Sequence, residues 1–277
     1  MNDPTDHKDN RAVFILSDGT GITAEALARA VLSQFDVPFR KVRIPFIDDA
    51  EKAEAARLLI ETEGARGKRP IVFSTLVKPD LSAVVRRANA VHLELIQTFA
   101  DLLSAELGVV SAQAIGRSHE RPESGTYRNR IDAIHFSIEH DDGQSHRDLG
   151  SADLILVGVS RCGKTPTSMY LALQYGLNVA NYPLIPEDFQ RGTLPSALKP
   201  YKHKLFGLSI APERLSQIRN ERMRDSRYAS IDNCRWEVAQ AEKLMQREGI
   251  HWLSSTTRSI EEISAAIVQE CDFGRKE

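Results

Sequence analysis

The stretch that most constrains this chain runs from Leu154 to Thr165. Four apolar residues, 154–157, predict a buried strand, and residues 158–165 read G-V-S-R-C-G-K-T, a complete G-x-x-x-x-G-K-[ST] motif. The residues that follow suit a helix, and Pro166 occupies a position that a helix start tolerates. A strand, a glycine turn and a helix form the context in which this motif binds phosphate. A nucleotide phosphate is therefore the expected ligand, and a glycine turn that binds nothing is the alternative.

Each position of the motif has a chemical role to fill. The predicted nucleotide-binding residues are Gly158, Val159, Ser160, Arg161, Cys162, Gly163, Lys164 and Thr165. Backbone N–H groups of such a loop and of the first helical turn converge on an anion. Lys164 is the predicted catalytic residue, because its ammonium group can stabilise the transferred phosphoryl group. The Thr165 hydroxyl is the predicted ligand of Mg²⁺.

Strand-like and helix-like patterns alternate along the rest of the chain. Strands are predicted at 12–16, 39–44, 69–74, 177–180, 204–210 and 251–253. This alternation predicts an α/β fold with parallel sheets. We expect a disordered lead-in at 1–10, an N-terminal α/β domain over 11–150 and a C-terminal kinase-like α/β domain over 151–277. Near the C-terminus, the Ser-x-x-Glu pattern at 259–262 predicts a capping box that opens the last helix.

Composition limits the classes of partner. The formal net charge of -2 provides no overall positive field to attract nucleic acid. No apolar run is long enough to span a bilayer, and residues 1–10 lack the apolar core of a secretion signal. The 3 cysteines show no C-x-x-C spacing. We therefore expect a cytoplasmic protein with reduced thiols and with neither a nucleic-acid nor a membrane partner.

Two other stretches admit either a functional or a structural interpretation. The Ser17–Gly21 turn is either a second anion-binding turn or a tight turn in which Thr20 or Thr23 caps the following helix. An arginine-rich segment later in the chain either closes over the nucleotide or forms a solvated helical face with acidic partners. Its arginines are Arg219, Arg222, Arg224 and Arg227.

Carboxylates upstream of the motif, beginning with Glu139, Asp141 and Asp142, are candidates for a general base or for ligands of Mg²⁺. Asp142, Asp148 and Asp153 qualify through their proximity in sequence, and Asp142 is assigned the catalytic role. The spacing of 141–143 by itself favours a hairpin turn, in which aspartate serves the turn geometry. The nearby histidines lack the spacing of metal ligands.

The motif and its surroundings resemble a known family. Residues 158–172, followed by 179–187, closely resemble the bacterial pyruvate, phosphate dikinase and phosphoenolpyruvate synthase regulatory proteins. Further similarities lie at 17–25, 141–143, 205–208, 212–215, 228–230 and 257–262. Together these stretches span nearly the whole chain after residue 10. The Cys-Gly-Lys-Thr form of 162–165 is similar to the synthase branch, whereas the dikinase branch more often has Thr-Ser-Lys-Thr.

The resemblance implies a bifunctional enzyme. Such proteins phosphorylate a threonine of the target enzyme with ADP, releasing AMP, and remove that phosphate with inorganic phosphate, releasing pyrophosphate. The implied substrates are ADP, inorganic phosphate and phosphoenolpyruvate synthase, with Mg²⁺ as cofactor. The use of ADP rather than ATP follows from the resemblance alone.

Other functions remain open at this point. The same chemistry on pyruvate, phosphate dikinase is one alternative, and a small-molecule kinase that uses the same loop is another. A nucleotide-sensing module would bind ADP and a partner without chemistry. The oligomeric state is open, a homo-oligomer included.

Overall fold

The computed structural model describes residues 11–114, 125–141, 148–224, 226–271 and 273. The chain divides into two compact units, residues 1–119 and 120–277. The division falls before the junction that the sequence predicted at residue 150. The expected disordered lead-in, 1–10, lies outside the described residues.

The first unit is built on a four-stranded parallel sheet. Its elements are β1 (Arg11–Leu16), α1 (Ile22–Leu32), β2 (Phe39–Ile44), α2 (Ala50–Gly64), β3 (Ile71–Ser74), α3 (Pro79–Val85), β4 (Val91–Glu94) and α4 (Leu95–Leu107). The strand order is β2-β1-β3-β4. Apolar residues of α2 and α3 pack with Phe14 and Val72, while residues of α1 pack with Val13 and Phe73. Helices therefore cover both faces of the sheet, as the alternating pattern predicted.

The second unit contains a second four-stranded parallel sheet. Its elements are α5 (Gly125–Glu139), β5 (Leu154–Gly158), α6 (Lys164–Tyr175), β6 (Val179–Pro183), α7 (Pro186–Arg191), β7 (Leu205–Ser209), α8 (Pro212–Arg222), α9 (Ile231–Arg247), β8 (Trp252–Ser254) and α10 (Ile260–Glu270). The strand order is β6-β5-β7-β8. The α/β prediction is thus confirmed in both units. Within the described residues, no helix combines the length and the apolar character needed to cross a membrane.

Helix α5 explains why the unit boundary differs from the predicted one. The sequence predicted that the second domain begins at residue 151, which assigned the region of α5 to the first domain. The structure instead packs α5 against α6 and β6, with Ala133 and Ser137 buried. The backbone N–H of Val179 in β6 also donates to the Ser137 hydroxyl at 3.4 Å. A mostly polar helix can belong to a core through a few buried positions, which composition alone does not reveal.

The two sheets share one topology, and in each the first strand lies at an inner position. In each unit five residues separate the end of that strand from the first residue of the following helix. The last of the five is a glycine with left-handed backbone, Gly21 in one unit (φ 78°) and Gly163 in the other (φ 98°). With this strand order, the connection from β1 to β2 (β5 to β6) runs toward one edge of the sheet, and the connection from β3 to β4 (β7 to β8) runs toward the other. The carboxyl ends of the first and third strands then form the crevice where open α/β sheets bind ligands.

Candidate functional site

The 158–165 loop begins where the fully buried strand β5 ends. β5 pairs with β6 on one side and β7 on the other, and all five of its residues are buried. A Cβ atom on Gly158 would lie 2.2 Å from the carbonyl oxygen of Leu208 and 2.9 Å from Cys162 Sγ. The φ angle of Gly158 is also positive, at 153°. Only glycine therefore fits at this position, as the first glycine of the motif requires.

Lys164 is the first residue of α6 and lies inside the loop. Its side chain is buried, with 3% exposure, and Nζ donates to the carbonyl oxygen of Val159 at 2.9 Å. Within the part of the chain that the structure describes, no carboxylate forms an ion pair with Lys164. An unpaired buried ammonium is costly unless an anion joins it. The loop therefore presents a positive charge that a bound anion would stabilise.

Thr165 lies in a cluster of oxygen atoms next to the loop. Its hydroxyl donates to Oδ1 of Asp141 at 2.9 Å. Asn181, on β6, donates through Nδ2 to the same carboxylate oxygen and, at 2.9 Å, to Thr165 Oγ1. Asn181 is 2% exposed, and none of the residues that the structure describes forms a hydrogen bond with its Oδ1. Three parts of the chain thus converge here: Thr165 is the predicted Mg²⁺ ligand, Asp141 belongs to the carboxylate cluster upstream of the motif, and only Asn181 carried no predicted role.

This cluster fits the hard oxygen ligands that Mg²⁺ prefers. A hydroxyl, a carboxylate and an unpartnered amide oxygen lie together at the start of α6. Among the described residues, no group of three or more histidine, cysteine, aspartate or glutamate side chains could hold a metal. Nucleotide-bound Mg²⁺ does not need such a group, because one or two protein oxygens suffice when phosphates and water complete its shell.

The predicted general bases do not all meet the loop. Asp142 lies outside the described residues and stays a prediction. Asp148 and Asp153 precede β5, at its amino end, and Asp153 accepts a 2.9 Å bond from the backbone N–H of Asn178. A five-residue strand separates its ends by about 13 Å. Proximity in sequence was therefore misleading for Asp148 and Asp153, because β5 carries the chain away from them.

Arg219 has a role that neither interpretation of the arginine-rich segment included. Its side chain is fully buried and forms a 2.6 Å ion pair with Glu237. Nη2 also donates to the carbonyl oxygen of Ser160 in the loop at 3.1 Å. The remaining arginines, Arg222, Arg224 and Arg227, are exposed. The segment therefore divides into one buried arginine that supports the loop and three that face solvent.

Two further side chains contact the loop. The Tyr228 hydroxyl donates to Ser160 Oγ at 2.9 Å, and the Tyr228 ring stacks 3.9 Å from the guanidinium carbon of Arg219. Ser255, just after β8, donates through Oγ to the carbonyl oxygen of Cys162 at 2.8 Å. Sequence spacing gave no signal for these contacts, since Ser255 lies 93 residues beyond its partner.

Cys162 is a buried structural residue of the loop. Burial raises the pKa of its thiol, and the positive charge of Lys164 opposes this shift. The thiol therefore stays neutral near pH 7, where it packs under Gly158. An unreactive cysteine fits the loop better than a nucleophile.

The Ser17–Gly21 turn of the first unit does not have the predicted threonine cap. Gly21 is the residue that precedes α1, and no side chain caps that helix. The Ser17 hydroxyl instead accepts from the N–H of Gly19 at 3.1 Å. Ile22 occupies the position that corresponds to Lys164. Anion binding at this turn stays a prediction.

Fold and site together define the class: an α/β protein with a G-x-x-x-x-G-K-T loop at the carboxyl edge of a parallel sheet. The kinase/pyrophosphorylase family model matches residues 13–268. The match covers most of the chain, so this protein belongs to the kinase/pyrophosphorylase family, whose name denotes phosphoryl transfer.

Similar proteins share nearly the whole length of this chain. A protein of Janthinobacterium sp. (strain Marseille) is 60% identical over 261 residues, covering 94% of this chain and 93% of the relative. A protein of Cupriavidus metallidurans is 58% identical over 266 residues, covering 96% and 98%. One of Bordetella avium is 57% identical over 267 residues, covering 96% and 97%. All three are provisionally named phosphoenolpyruvate synthase regulatory protein.

Proposed function

We propose that this protein is a bifunctional enzyme that phosphorylates and dephosphorylates a threonine of phosphoenolpyruvate synthase. The kinase direction uses ADP and releases AMP, and the reverse direction uses inorganic phosphate and releases pyrophosphate. The observation that carries the proposal is the buried ammonium of Lys164, which has no carboxylate partner among the described residues and lies inside a G-x-x-x-x-G-K-T loop. Family membership and the names of the relatives support the choice of reaction and target.

In the kinase direction the loop holds the diphosphate of ADP. The target threonine oxygen attacks the β-phosphorus, and the bond from that phosphorus to the bridging oxygen breaks. AMP leaves with the electron pair, and the threonine proton passes to a base, for which Asp142 is the candidate. Lys164 and the loop amides stabilise the charge on the transferred phosphoryl group. Thr165 and Asp141 are the residues that would hold Mg²⁺, which neutralises phosphate charge when bound.

In the phosphorolysis direction an oxygen of inorganic phosphate attacks the phosphorus of phosphothreonine. The bond between phosphorus and the threonine oxygen breaks, the threonine oxygen takes up a proton, and pyrophosphate leaves. ADP in one direction and pyrophosphate in the other both carry a diphosphate. One cradle with one lysine therefore suits both reactions, and we propose that they share the 158–165 loop.

Competition tests this shared site. Pyrophosphate should compete with ADP for the free protein, because both place a diphosphate in the same loop. Simultaneous binding of the two ligands would contradict a single cradle. Lys164→Ala should weaken the binding of both pyrophosphate and ADP.

Target choice separates the remaining alternatives. The purified protein would be offered phosphoenolpyruvate synthase and pyruvate, phosphate dikinase in parallel. Threonine phosphorylation of the synthase is the expected result, and phosphorylation of the dikinase alone would transfer the proposal to that enzyme. Turnover of ATP with a small soluble acceptor, without either protein, would indicate a small-molecule kinase instead.

A further inference from the structure

Side chains from outside the 158–165 loop hold two of its carbonyl groups. Arg219, on α8, donates to the carbonyl oxygen of Ser160 at 3.1 Å. Ser255 donates to the carbonyl oxygen of Cys162 at 2.8 Å. The carbonyl group of Arg161 lies between these two in sequence. The loop is therefore held at two separate peptide units and not only at its ends.

Holding a carbonyl group also fixes the direction of an N–H group. A trans peptide unit is planar, and its C=O and N–H bonds point in opposite directions. The described backbone contains no cis peptide bond. Arg219 therefore sets the direction of the Arg161 N–H, and Ser255 sets that of the Gly163 N–H. Each N–H group points away from the side chain that holds the neighbouring carbonyl oxygen.

The loop needs such support because Arg161 and Gly163 both have positive φ angles. Arg161 has a left-handed backbone with φ 73°, which is uncommon for a residue other than glycine, and Gly163 has φ 98°. Glycine also leaves its neighbouring peptide units free to rotate. A rotated peptide unit would present a carbonyl oxygen, in place of an N–H group, to an anion in the loop.

We propose that Arg219 and Ser255 are positioning residues for phosphate binding, which together we call the carbonyl clamp. By holding the carbonyl oxygens of Ser160 and Cys162 on the outer side, they keep the N–H groups of Arg161 and Gly163 directed at the bound phosphate. The clamp rests on the proposed function, since it presumes that the loop binds a phosphate. It adds two residues that the motif does not contain.

Both clamp residues are themselves fixed in place. The Arg219 guanidinium pairs with Glu237 at 2.6 Å, donates to the carbonyl oxygen of Tyr228 at 3.0 Å and stacks on the Tyr228 ring. The backbone N–H of Ser255 donates to the carbonyl oxygen of Ser209 at 2.8 Å, which ties it to the end of β7. Ser255 Oγ lies 3.1 Å from the same oxygen, so its single hydrogen has the Cys162 carbonyl oxygen, at 2.8 Å, as the nearer of two acceptors. A rigid donor can impose a direction on the loop, whereas a mobile one would follow it.

Ser255→Ala is the cleaner test, with Ser254→Ala as its matched control. Ser254 is the adjacent residue and is exposed, and its hydroxyl bonds only to Thr256 within the described part of the chain. Calorimetry would measure the affinity of each variant for ADP and for inorganic phosphate, and thermal unfolding would measure stability. Ser255→Ala should lower the affinity for both ligands by about three- to tenfold, which is the effect of one hydrogen bond. Ser255→Thr, which keeps the hydroxyl, should restore binding, and Ser254→Ala should match the wild type.

If the wild-type protein binds both ligands and Ser255→Ala binds them with the same affinity, the clamp is overturned and the proposed function stays intact. A loss of stability without a loss of affinity would also overturn it, because that result indicates a purely structural serine. If the wild-type protein bound neither ADP nor phosphate, the proposed function would fail, and the clamp with it.

Arg219→Lys tests the other residue of the carbonyl clamp. Lysine keeps the positive charge beside Glu237 but cannot bond Glu237 and two backbone carbonyls with one planar group. The affinity of this variant for ADP and for phosphate should fall to a degree similar to that of Ser255→Ala. It would be measured at a temperature where circular dichroism shows that the variant is folded. Wild-type affinity in the folded variant would remove Arg219 from the clamp.

Discussion

The Thr165 hydroxyl lies 2.9 Å from Oδ1 of Asp141, although 24 residues separate the two in sequence. The contact joins the first turn of α6 to the second residue after the end of α5. It places a carboxylate beside the one hydroxyl that the motif assigns to Mg²⁺. The contact also gives α5 a function, because that helix carries Asp141 to the loop.

Asp141→Asn tests this relationship. The amide keeps an oxygen that can accept the Thr165 hydroxyl bond, but it removes the negative charge that favours a divalent cation. We expect kinase activity to fall by about 10²-fold or more and the Mg²⁺ concentration for half-maximal activity to rise. Asp153→Asn, at the opposite end of β5, is the control and should leave both quantities near the wild-type values. Equal effects of the two variants would contradict the assignment.

Lys164→Ala should slow catalysis strongly without unfolding the protein. The loss of one preorganised charge at the transferred group is expected to lower the rate by on the order of 10²–10³-fold. Removal of a buried ammonium without a carboxylate partner among the described residues should leave the melting temperature unchanged or raise it. Lys199→Ala, at an exposed lysine, provides the control. Retention of full kinase activity by Lys164→Ala would exclude the loop as the site.

Gly158→Ala should destabilise the second unit. The added Cβ atom would overlap the Leu208 carbonyl oxygen at 2.2 Å, and φ 153° is unfavourable for alanine. Strain and overlap together should lower the free energy of unfolding by roughly 2–6 kcal/mol. Gly249→Ala separates strain from overlap, because Gly249 has φ 64° but no atom within 4 Å of the added Cβ. Gly249→Ala should lower the free energy of unfolding, measured with urea, by only about 1–2 kcal/mol. Equal losses in the two variants would show that overlap is unimportant.

The Cys162 thiol should resist alkylation in the folded protein. Burial raises its pKa, so the neutral thiol persists at neutral pH, and its contribution to stability is complete below the ordinary thiol pKa of about 8.5. That contribution is lost as the pH rises through the higher pKa of the folded state. Mass spectrometry after iodoacetamide treatment should find Cys271, which is partly exposed, modified well before Cys162. Equal rates in the folded protein would contradict the buried position.

Local patterns predicted much of the second unit. The apolar run of β5, the glycine turn and the start of α6 lie where the motif placed them, and the predicted capping box is confirmed by reciprocal bonds between Ser259 and Glu262. These features depend on residues only a few positions apart. Sequence spacing therefore carries enough information to predict them.

The supports of the loop could not be predicted in this way. Asp141, Arg219 and Ser255 reach the loop from three separate parts of the chain, and no local spacing indicates which atom of the loop each side chain contacts. Arg219 was grouped with three arginines that proved exposed, because a charge pattern along a helix does not reveal which residue pairs with a buried glutamate. Asn181 was missed because the predicted strand ended at 180, whereas β6 continues to Pro183. Such contacts depend on how the elements pack.

The most direct measurement follows the β-phosphate of ADP. Protein, Mg²⁺ and ADP labelled on the β-phosphate would be mixed with purified phosphoenolpyruvate synthase, and both the protein and the nucleotides would be analysed. We expect label on a threonine of the synthase, an equal amount of AMP, and transfer by Lys164→Ala that is slower by on the order of 10²–10³-fold. Absence of label on the synthase, or equal transfer by Lys164→Ala, would contradict the proposed function.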